Sequence, residues 1–225
     1  LERPPFEDGR VVNSWIIALG LPAIFAATFV LMAHSWIVAQ WRLRERELEV
    51  LIGTDPLTSV ANRRVFFERL EAELARSRRH GNALSVLMVD VDHFKAINDR
   101  HGHQVGDIVL ADIAHELRDA LRTADVVARY GGEEFAVILP ETGIDEATRA
   151  AERVRAAITA LRFPSVAEPV RVTVSVGVAC MQPGEASDEL VYRADAALLG
   201  AKRGGRDRIT LANLTVADLA SESAQ

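Results

Sequence analysis

Arg129-Tyr130-Gly131-Gly132-Glu133-Glu134-Phe135-Ala136-Val137-Ile138-Leu139 is the stretch on which the reading of this chain turns. Val126 to Tyr130 and Phe135 to Leu139 are short β-prone runs. Gly131-Gly132 between them reads as a tight reversal, because only glycine enters φ > 0 without steric cost. Two adjacent carboxylates, Glu133 and Glu134, follow the turn. Taken alone, the pattern fits an ordinary hairpin with a solvated acidic tip.

A second acidic site changes that reading. Ala83-Leu84-Ser85-Val86-Leu87-Met88-Val89-Asp90-Val91-Asp92 is too continuously apolar for a half-exposed strand and predicts a buried central one. It ends in Asp90 and Asp92, and a carboxylate at the end of a buried strand is costly unless it is paired or binds a cation. Two strand ends carrying Asp90 and Glu133/Glu134 suit Mg²⁺, which prefers oxygen ligands and keeps substrate phosphates in its shell. Lys95 then supplies positive charge to those phosphates. The constellation predicts metal-assisted phosphoryl or nucleotidyl transfer.

Composition sets the bounds. A chain of 225 residues, 49% hydrophobic and 26% charged, has room for one folded domain with extensions. The formal charge of −6 speaks against broad nucleic-acid binding, which wants a basic surface. Cys180 is alone, which excludes an intrachain disulfide and a CxxC metal site. The chain begins with Leu1 rather than Met, so residues 1–10 read as the end of a missing upstream region.

Residues 11–41 contain no Asp, Glu, Lys or Arg, long enough for the roughly 20 apolar residues of a transmembrane helix. Trp15 lies at one edge and Trp36 and Trp41 at the other, where amphipathic rings suit an interface. Pro22 is tolerated near the entry end with a kink. His34 reads as facing a partner helix or the headgroups rather than as a proton relay. Arg42, Arg44 and Arg46 follow the span, so the positive-inside rule puts the rest of the chain in the cytoplasm. Residues 42–53 read either as a short parallel coiled coil or as a plain juxtamembrane linker.

From Asp55 onward strands and helices alternate. Helices are expected at Arg63 to His80, Gly106 to Arg122, about Asp145 to Leu161 and about Asp188 to Lys202. Arg171 to Ala179 alternates as a half-buried strand. This order predicts a sheet with helices packed on it, and the hairpin argues against a purely parallel one.

Gly131-Gly132-Glu133-Glu134-Phe135 together with Asp90-Val91-Asp92-His93-Phe94-Lys95-Ala96-Ile97-Asn98-Asp99 resembles the GGDEF-domain diguanylate cyclase family. Asp55-Pro56-Leu57-Thr58, Asn62-Arg63-Arg64, Gly102-His103-Gln104-Val105-Gly106-Asp107, Ser175-Val176-Gly177 and Ala201-Lys202-Arg203-Gly204-Gly205-Arg206 extend the resemblance over residues 54–209. It implies an α+β fold, a central five-stranded, mainly antiparallel sheet flanked by helices, akin to polymerase palm and class III nucleotide cyclase domains. The catalytic domain is then residues 54–210, with a polar tail at 211–225. The implied reaction is condensation of two GTP into cyclic di-GMP, with release of pyrophosphate.

Carried over by position, Asp90, Glu133 and the backbone carbonyl of Val91 ligate Mg²⁺, or Mn²⁺ in its place, and Glu134 assists a second ion. Glu133 is the implied general base, and Lys95 stabilises phosphate charge. Lys202 and Arg206, taken as one helical turn apart, hold the triphosphate. Asn98 and Asp107 read guanine, although Asp107 also fits a cap on the Gly106 helix and Asn98 a plain loop residue. Gly131 and Gly132 let backbone approach the nucleotide. Arg122 and Asp125 form an Arg-x-x-Asp at the position of the family's product-inhibition site, with Arg153 as partner; a solvated helix terminus explains the same pattern. Leu199 departs from the aromatic residue the family often carries there.

The resemblance further implies a homodimer, completed face to face; the uncharged run 11–41 and the arginines after it would anchor it by one helix in the bacterial inner membrane, with its catalytic domain in the cytoplasm. Two rivals stand beside it. One is an inactive relative that senses cyclic di-GMP or GTP, against which Asp90, Lys95 and Glu133 argue. The other is a cyclase for a mixed or adenine dinucleotide, against which Asn98 and Asp107 argue.

Overall fold

A computed structural model describes residues 28–36, 53–163 and 169–212. The chain divides into two compact units, residues 1–51 and 52–225. In the first, residues 28–36 are helical, with Phe29, Leu31, Met32 and Trp36 exposed. Among the described residues no helix is long and apolar enough to cross a membrane. The remainder of the expected span 11–41, nearly all of the linker 42–53 and the tail from residue 213 lie outside the described residues.

In the second unit the chain runs β1 (Ala61–Asn62), α1 (Arg63–His80), β2 (Leu84–Val91), α2 (Phe94–His101), α3 (His103–Ala120), β3 (Val126–Arg129), β4 (Glu134–Pro140), α4 (Ile144–Ala160), β5 (Val174–Cys180), α5 (Ser187–Arg203) and β6 (Ile209–Leu211). The sheet order is β1-β3-β4-β2-β5-β6. β2 is antiparallel to both β4 and β5, and β3 and β4 form the expected hairpin. The sheet is six-stranded and mixed rather than five-stranded and mainly antiparallel. The difference lies at its edges, where β1 pairs parallel to β3 and β6 parallel to β5. These edge strands are two and three residues long, too short to carry a readable alternation.

β2 is buried along its whole length because helices cover both faces of the sheet. Leu87, Val89 and Val91 join Phe135, Val137 and Leu139 of β4 under α2, α3 and α4. Leu84, Val86 and Met88 point the other way, toward Phe66, Leu70 and Leu74 of α1 and Leu190, Ala194 and Leu198 of α5. The alternation expected of β5 is present in Val174, Val176 and Val178, but its other face is buried too. Gly177 explains how: a Cβ there would lie 2.0 Å from the Ala194 carbonyl and 2.3 Å from the Leu198 nitrogen. Glycine therefore lets the backbone of α5 lie directly on β5.

Helix ends follow local chemistry. The Asn62 side chain accepts from the Val65 N–H at 3.0 Å and caps α1. Gly81, at φ 70°, ends it, with Arg78, Arg79 and His80 in the last turn where cations suit the helix dipole. α5 is fixed to the strand it covers by a fully buried ion pair. Arg193 Nε meets Glu185 Oε1 at 2.6 Å, and Arg193 Nη2 also donates to the Cys180 carbonyl at 2.6 Å.

Candidate active site

The register of the central strands brings the two acidic stretches together. Asp90 at the end of β2 pairs with Glu134 on one side and Ser175 on the other. The Val91 N–H donates to the Glu133 carbonyl at 3.3 Å, which stitches the hairpin turn to the end of β2. Burial pushes the Glu133 carboxyl up, and the charges of Asp90 and Glu134 push it further while Lys202 opposes them. Burial also raises Asp90, against the pull of Lys202 and Arg206. Lys202 Nζ lies 2.7 Å from Asp90 Oδ2. Two partly desolvated carboxylates thus lie near one another, with an ammonium group against one of them.

Among the described residues no group of three or more His, Cys, Asp and Glu side chains is arranged to hold a metal. The site offers the carboxylates of Asp90 and Glu133 and a backbone carbonyl. That donor set fits a hard cation that keeps water and substrate oxygens in its shell. The ammonium at Asp90 is consistent with that fit, since it fills the demand for positive charge without an ion.

The turn departs from the expected geometry. Neither Gly131 nor Gly132 has a left-handed φ. A Cβ at Gly131 would meet Glu134 Oε2 at 2.5 Å, the mobile end of a glutamate side chain that can swing aside. A Cβ at Gly132 would meet nothing within 4 Å, so the side of the turn it would occupy is open. Arg129 closes the turn, donating from Nε and Nη2 to the Gly132 carbonyl at 3.2 and 2.7 Å. Its Nη1 meets both Asp55 carboxylate oxygens at 3.0 and 3.2 Å. The sequence marked Asp55 and Arg129 as motif members but gave neither a structural role.

Asp92 is engaged elsewhere. Its carboxylate accepts from Thr173 Oγ1 and Ser175 Oγ, each at 2.7 Å, and from the Asp207 N–H at 3.0 Å. It anchors the loop after α5. That loop holds Arg206, which lies beyond the end of α5 at φ 63°, so Lys202 and Arg206 are not one helical turn apart.

Lys95 is exposed in the first turn of α2, an element the sequence reading omitted. Asn98 Oδ1 on the same helix is buried without a hydrogen-bond partner. It abuts Gly106, where a Cβ would come within 1.9 Å of it. α3 begins at His103 rather than Gly106, so Asp107 lies inside the helix, exposed, and is not its cap. Arg122, Asp125 and Arg153 are close enough that both arginines lower the Asp125 carboxyl, although burial outweighs them and raises it. The Arg122 N–H donates to Asp125 Oδ2 at 2.8 Å.

A sequence profile described as "Diguanylate cyclase, GGDEF domain" matches residues 52–208. The chain belongs to the GGDEF family. Similar proteins include the diguanylate cyclase DgcP of Pseudomonas aeruginosa, 50% identical over 159 residues, covering 71% of this chain and 24% of DgcP. The response regulator PleD of Caulobacter vibrioides is 40% identical over 169 residues, 73% of this chain and 37% of PleD. The GGDEF chain thus spans 24% of one of these relatives and 37% of the other. Among solved structures, the GGDEF domain of DgcB from Caulobacter crescentus in complex with c-di-GMP matches with a TM-score of 0.69 and 38% identity. That match covers 72% of this chain and 94% of the DgcB domain. Members of the GGDEF family typically use a divalent metal.

Proposed function

We propose that this GGDEF chain is a diguanylate cyclase that condenses two GTP into cyclic di-GMP. The observation that carries the reading is the meeting of Asp90 and Glu133 across the β2 end and the hairpin turn, with Lys202 beside them. In each half-reaction a ribose 3′-oxygen forms a bond to the α-phosphorus of the other GTP. The bond from that phosphorus to the bridging oxygen breaks, and pyrophosphate leaves with the electron pair. Asp90, Glu133 and the Val91 carbonyl would hold Mg²⁺, or Mn²⁺, with Glu134 assisting a second ion, and the bound metal would supply positive charge to the phosphoryl centre.

Glu133, its carboxyl raised by burial and neighbouring charge, takes the proton of the 3′-hydroxyl. Lys95, Lys202 and Arg206 balance phosphate charge. Asn98 and Asp107 take the guanine, and Gly131 and Gly132, lacking side chains, let the nucleotide lie close. Arg122, Asp125 and Arg153 bind the product and restrain turnover. One domain holds one GTP, so the working species is a homodimer. Residues 11–41 tether it to the bacterial inner membrane and residues 54–210 work in the cytoplasm, with residues 42–53 as the linking helix.

The test is incubation of purified protein with GTP and Mg²⁺, and separately with ATP, followed by anion-exchange chromatography. Cyclic di-GMP from GTP alone is expected, with Glu133→Gln slower by on the order of 10²–10⁴-fold. Absence of cyclic di-GMP, or an unimpaired Glu133→Gln variant, overturns the assignment.

A further inference from the structure

Three consecutive residues after α5 share a left-handed backbone: Gly205 at φ 114°, Arg206 at 63° and Asp207 at 44°. Glycine enters that region freely and aspartate visits it at modest cost, but arginine does so uncommonly. Non-glycine residues persist there where their surroundings over-determine the backbone, and such places concentrate at functional sites. Arg206 is exposed, and its charge reaches Asp90, where it opposes the rise of that carboxyl. The strained residue is thus the one whose charge acts on the acidic site.

Two side chains from outside the loop fix Asp207. The Asp207 N–H donates to Asp92 Oδ2 at 3.0 Å. Asp92 is itself immobilised: it is buried, it accepts from Thr173 Oγ1 and Ser175 Oγ at 2.7 Å each, and its own N–H donates to the Thr173 carbonyl at 2.9 Å. Arg155 of α4 takes the Asp207 side chain, Nη1 to Oδ1 at 2.6 Å. Glu152, three residues earlier on the same helix, orients Arg155 by accepting from Nη2 at 2.6 Å and Nε at 3.2 Å. The ends of the loop are pinned as well. The Arg206 N–H donates to the Ala201 carbonyl at 3.1 Å, and the Arg208 carbonyl accepts from the Val176 N–H at 2.9 Å. These contacts act on the backbone that carries Arg206 rather than on its guanidinium.

We propose that Asp92 and Arg155 are positioning residues for GTP: between them they lock Gly205–Asp207 in the left-handed conformation that presents Arg206 to the substrate phosphates. The inference rests on the reading of Arg206 as a partner of phosphate charge given above. An arginine on a loose loop gives up backbone freedom each time it binds, whereas a locked backbone has already given it up on folding. Loosening the lock should therefore weaken ligands that carry the phosphate tail and spare the nucleoside.

Calorimetric titration of the full chain in Mg²⁺ tests this with two probes: GTP with a methylene group in place of the α–β bridging oxygen, and guanosine. Thermal melts check that Arg206→Asn, Asp207→Asn, Arg155→Met, Arg155→Lys and Asp92→Asn fold. Where Asp92→Asn does not, Ser175→Ala, which removes one donor to that carboxylate, takes its place. Asparagine tolerates the left-handed region, so the changes at 206 and 207 do not themselves strain the loop. Arg206→Asn is expected to bind the analogue about 10-fold or more weakly, the loss of a charge-assisted contact, with guanosine unchanged. Arg155→Met, Asp207→Asn and Asp92→Asn each weaken the analogue alone by about 3- to 10-fold, and Arg155→Lys falls between Arg155→Met and the native chain. In the Arg206→Asn background, Arg155→Met weakens the analogue no further, because it acts through Arg206. The positioning roles are wrong, while the phosphate reading of Arg206 stands, if these variants bind the analogue as the native chain does. The same holds if they weaken guanosine by the same factor, or if Arg155→Met has its full effect with Arg206 already removed. If Arg206→Asn itself binds the analogue normally, the phosphate reading fails and the inference falls with it.

Discussion

In the proposed scheme Asn98 is committed to a ligand before one arrives. Its Oδ1 is buried and has no partner. An orphaned buried acceptor costs about 1–3 kcal/mol, a cost that a bound base can relieve. Gly106 makes this arrangement possible, since a Cβ at that position would sit 1.9 Å from Oδ1 and 3.1 Å from the Phe94 ring. In Gly106→Ala the amide, free to rotate at the end of its side chain, moves away. The helix itself gains up to about 1 kcal/mol in propensity, so the fold survives. The expected outcome is a melting temperature within a few degrees of the native value and a KM for GTP raised about 10-fold, the worth of one hydrogen bond to the base. Steady-state kinetics across GTP concentrations checks it, and an unchanged KM removes Asn98 from recognition. The sequence supplied the identity of Asn98 and Gly106 but not their contact. Asp92 is a similar case: it read as a second strand-end acid, yet its hydroxyl donors are 81 and 83 residues away in sequence. No local pattern contains that pairing.

The elements were legible in proportion to their length and periodicity. α1 matches its expected limits, and α4 and α5 differ by a residue, because a long apolar stripe with marked ends leaves little choice. The eight-residue α2 and the short edge strands carry too few periods to declare themselves. The hairpin was recognised for a reason that does not hold, since neither turn glycine uses φ > 0. What shapes the turn is Arg129, reaching from the end of β3 to the Gly132 carbonyl and to Asp55. Burial alone would raise the Asp55 carboxyl, but hydrogen bonds from the Thr58 hydroxyl and N–H and from Arg129 outweigh it and hold it below 3.8. An acid whose folded pKa is depressed adds stability above its unfolded value and loses it as pH falls through the folded one. Native protein should therefore lose more stability between about pH 5 and pH 3 than Asp55→Asn does, given an ordinary Asp value near 3.9. Urea denaturation at the two pH values measures the difference. An equal drop in both proteins means that the clamp between the entry segment and the hairpin is not ionic.

At the scale of the whole molecule, the two acidic strand ends form one half of a reaction in the proposed scheme. Asp90, Glu133 and Lys202 lie together in one protomer, and on that reading one such cluster serves one nucleotide. The product joins two nucleotides through two equivalent bonds, so each 3′-hydroxyl must be delivered from a second, facing copy. Holding that copy in place replaces a bimolecular encounter by a local one, with effective molarities far above any protein concentration in solution. The chain was expected to achieve this through a membrane helix and a linker ahead of residue 54; a chain lacking them depends on mass action alone. For residues 54–212, below the dimer dissociation constant, the rate of cyclic di-GMP formation should rise with about the second power of protein concentration. Above it, the exponent returns to about one. A dilution series at saturating GTP, with pyrophosphate release as the readout, separates the two regimes. Fusion of a parallel two-stranded coiled coil ahead of residue 54 should abolish the second-order regime, because the facing copy is then never lost. A specific activity independent of dilution in the unfused chain would mean that a single protomer completes both bonds, and the face-to-face arrangement would have to be given up.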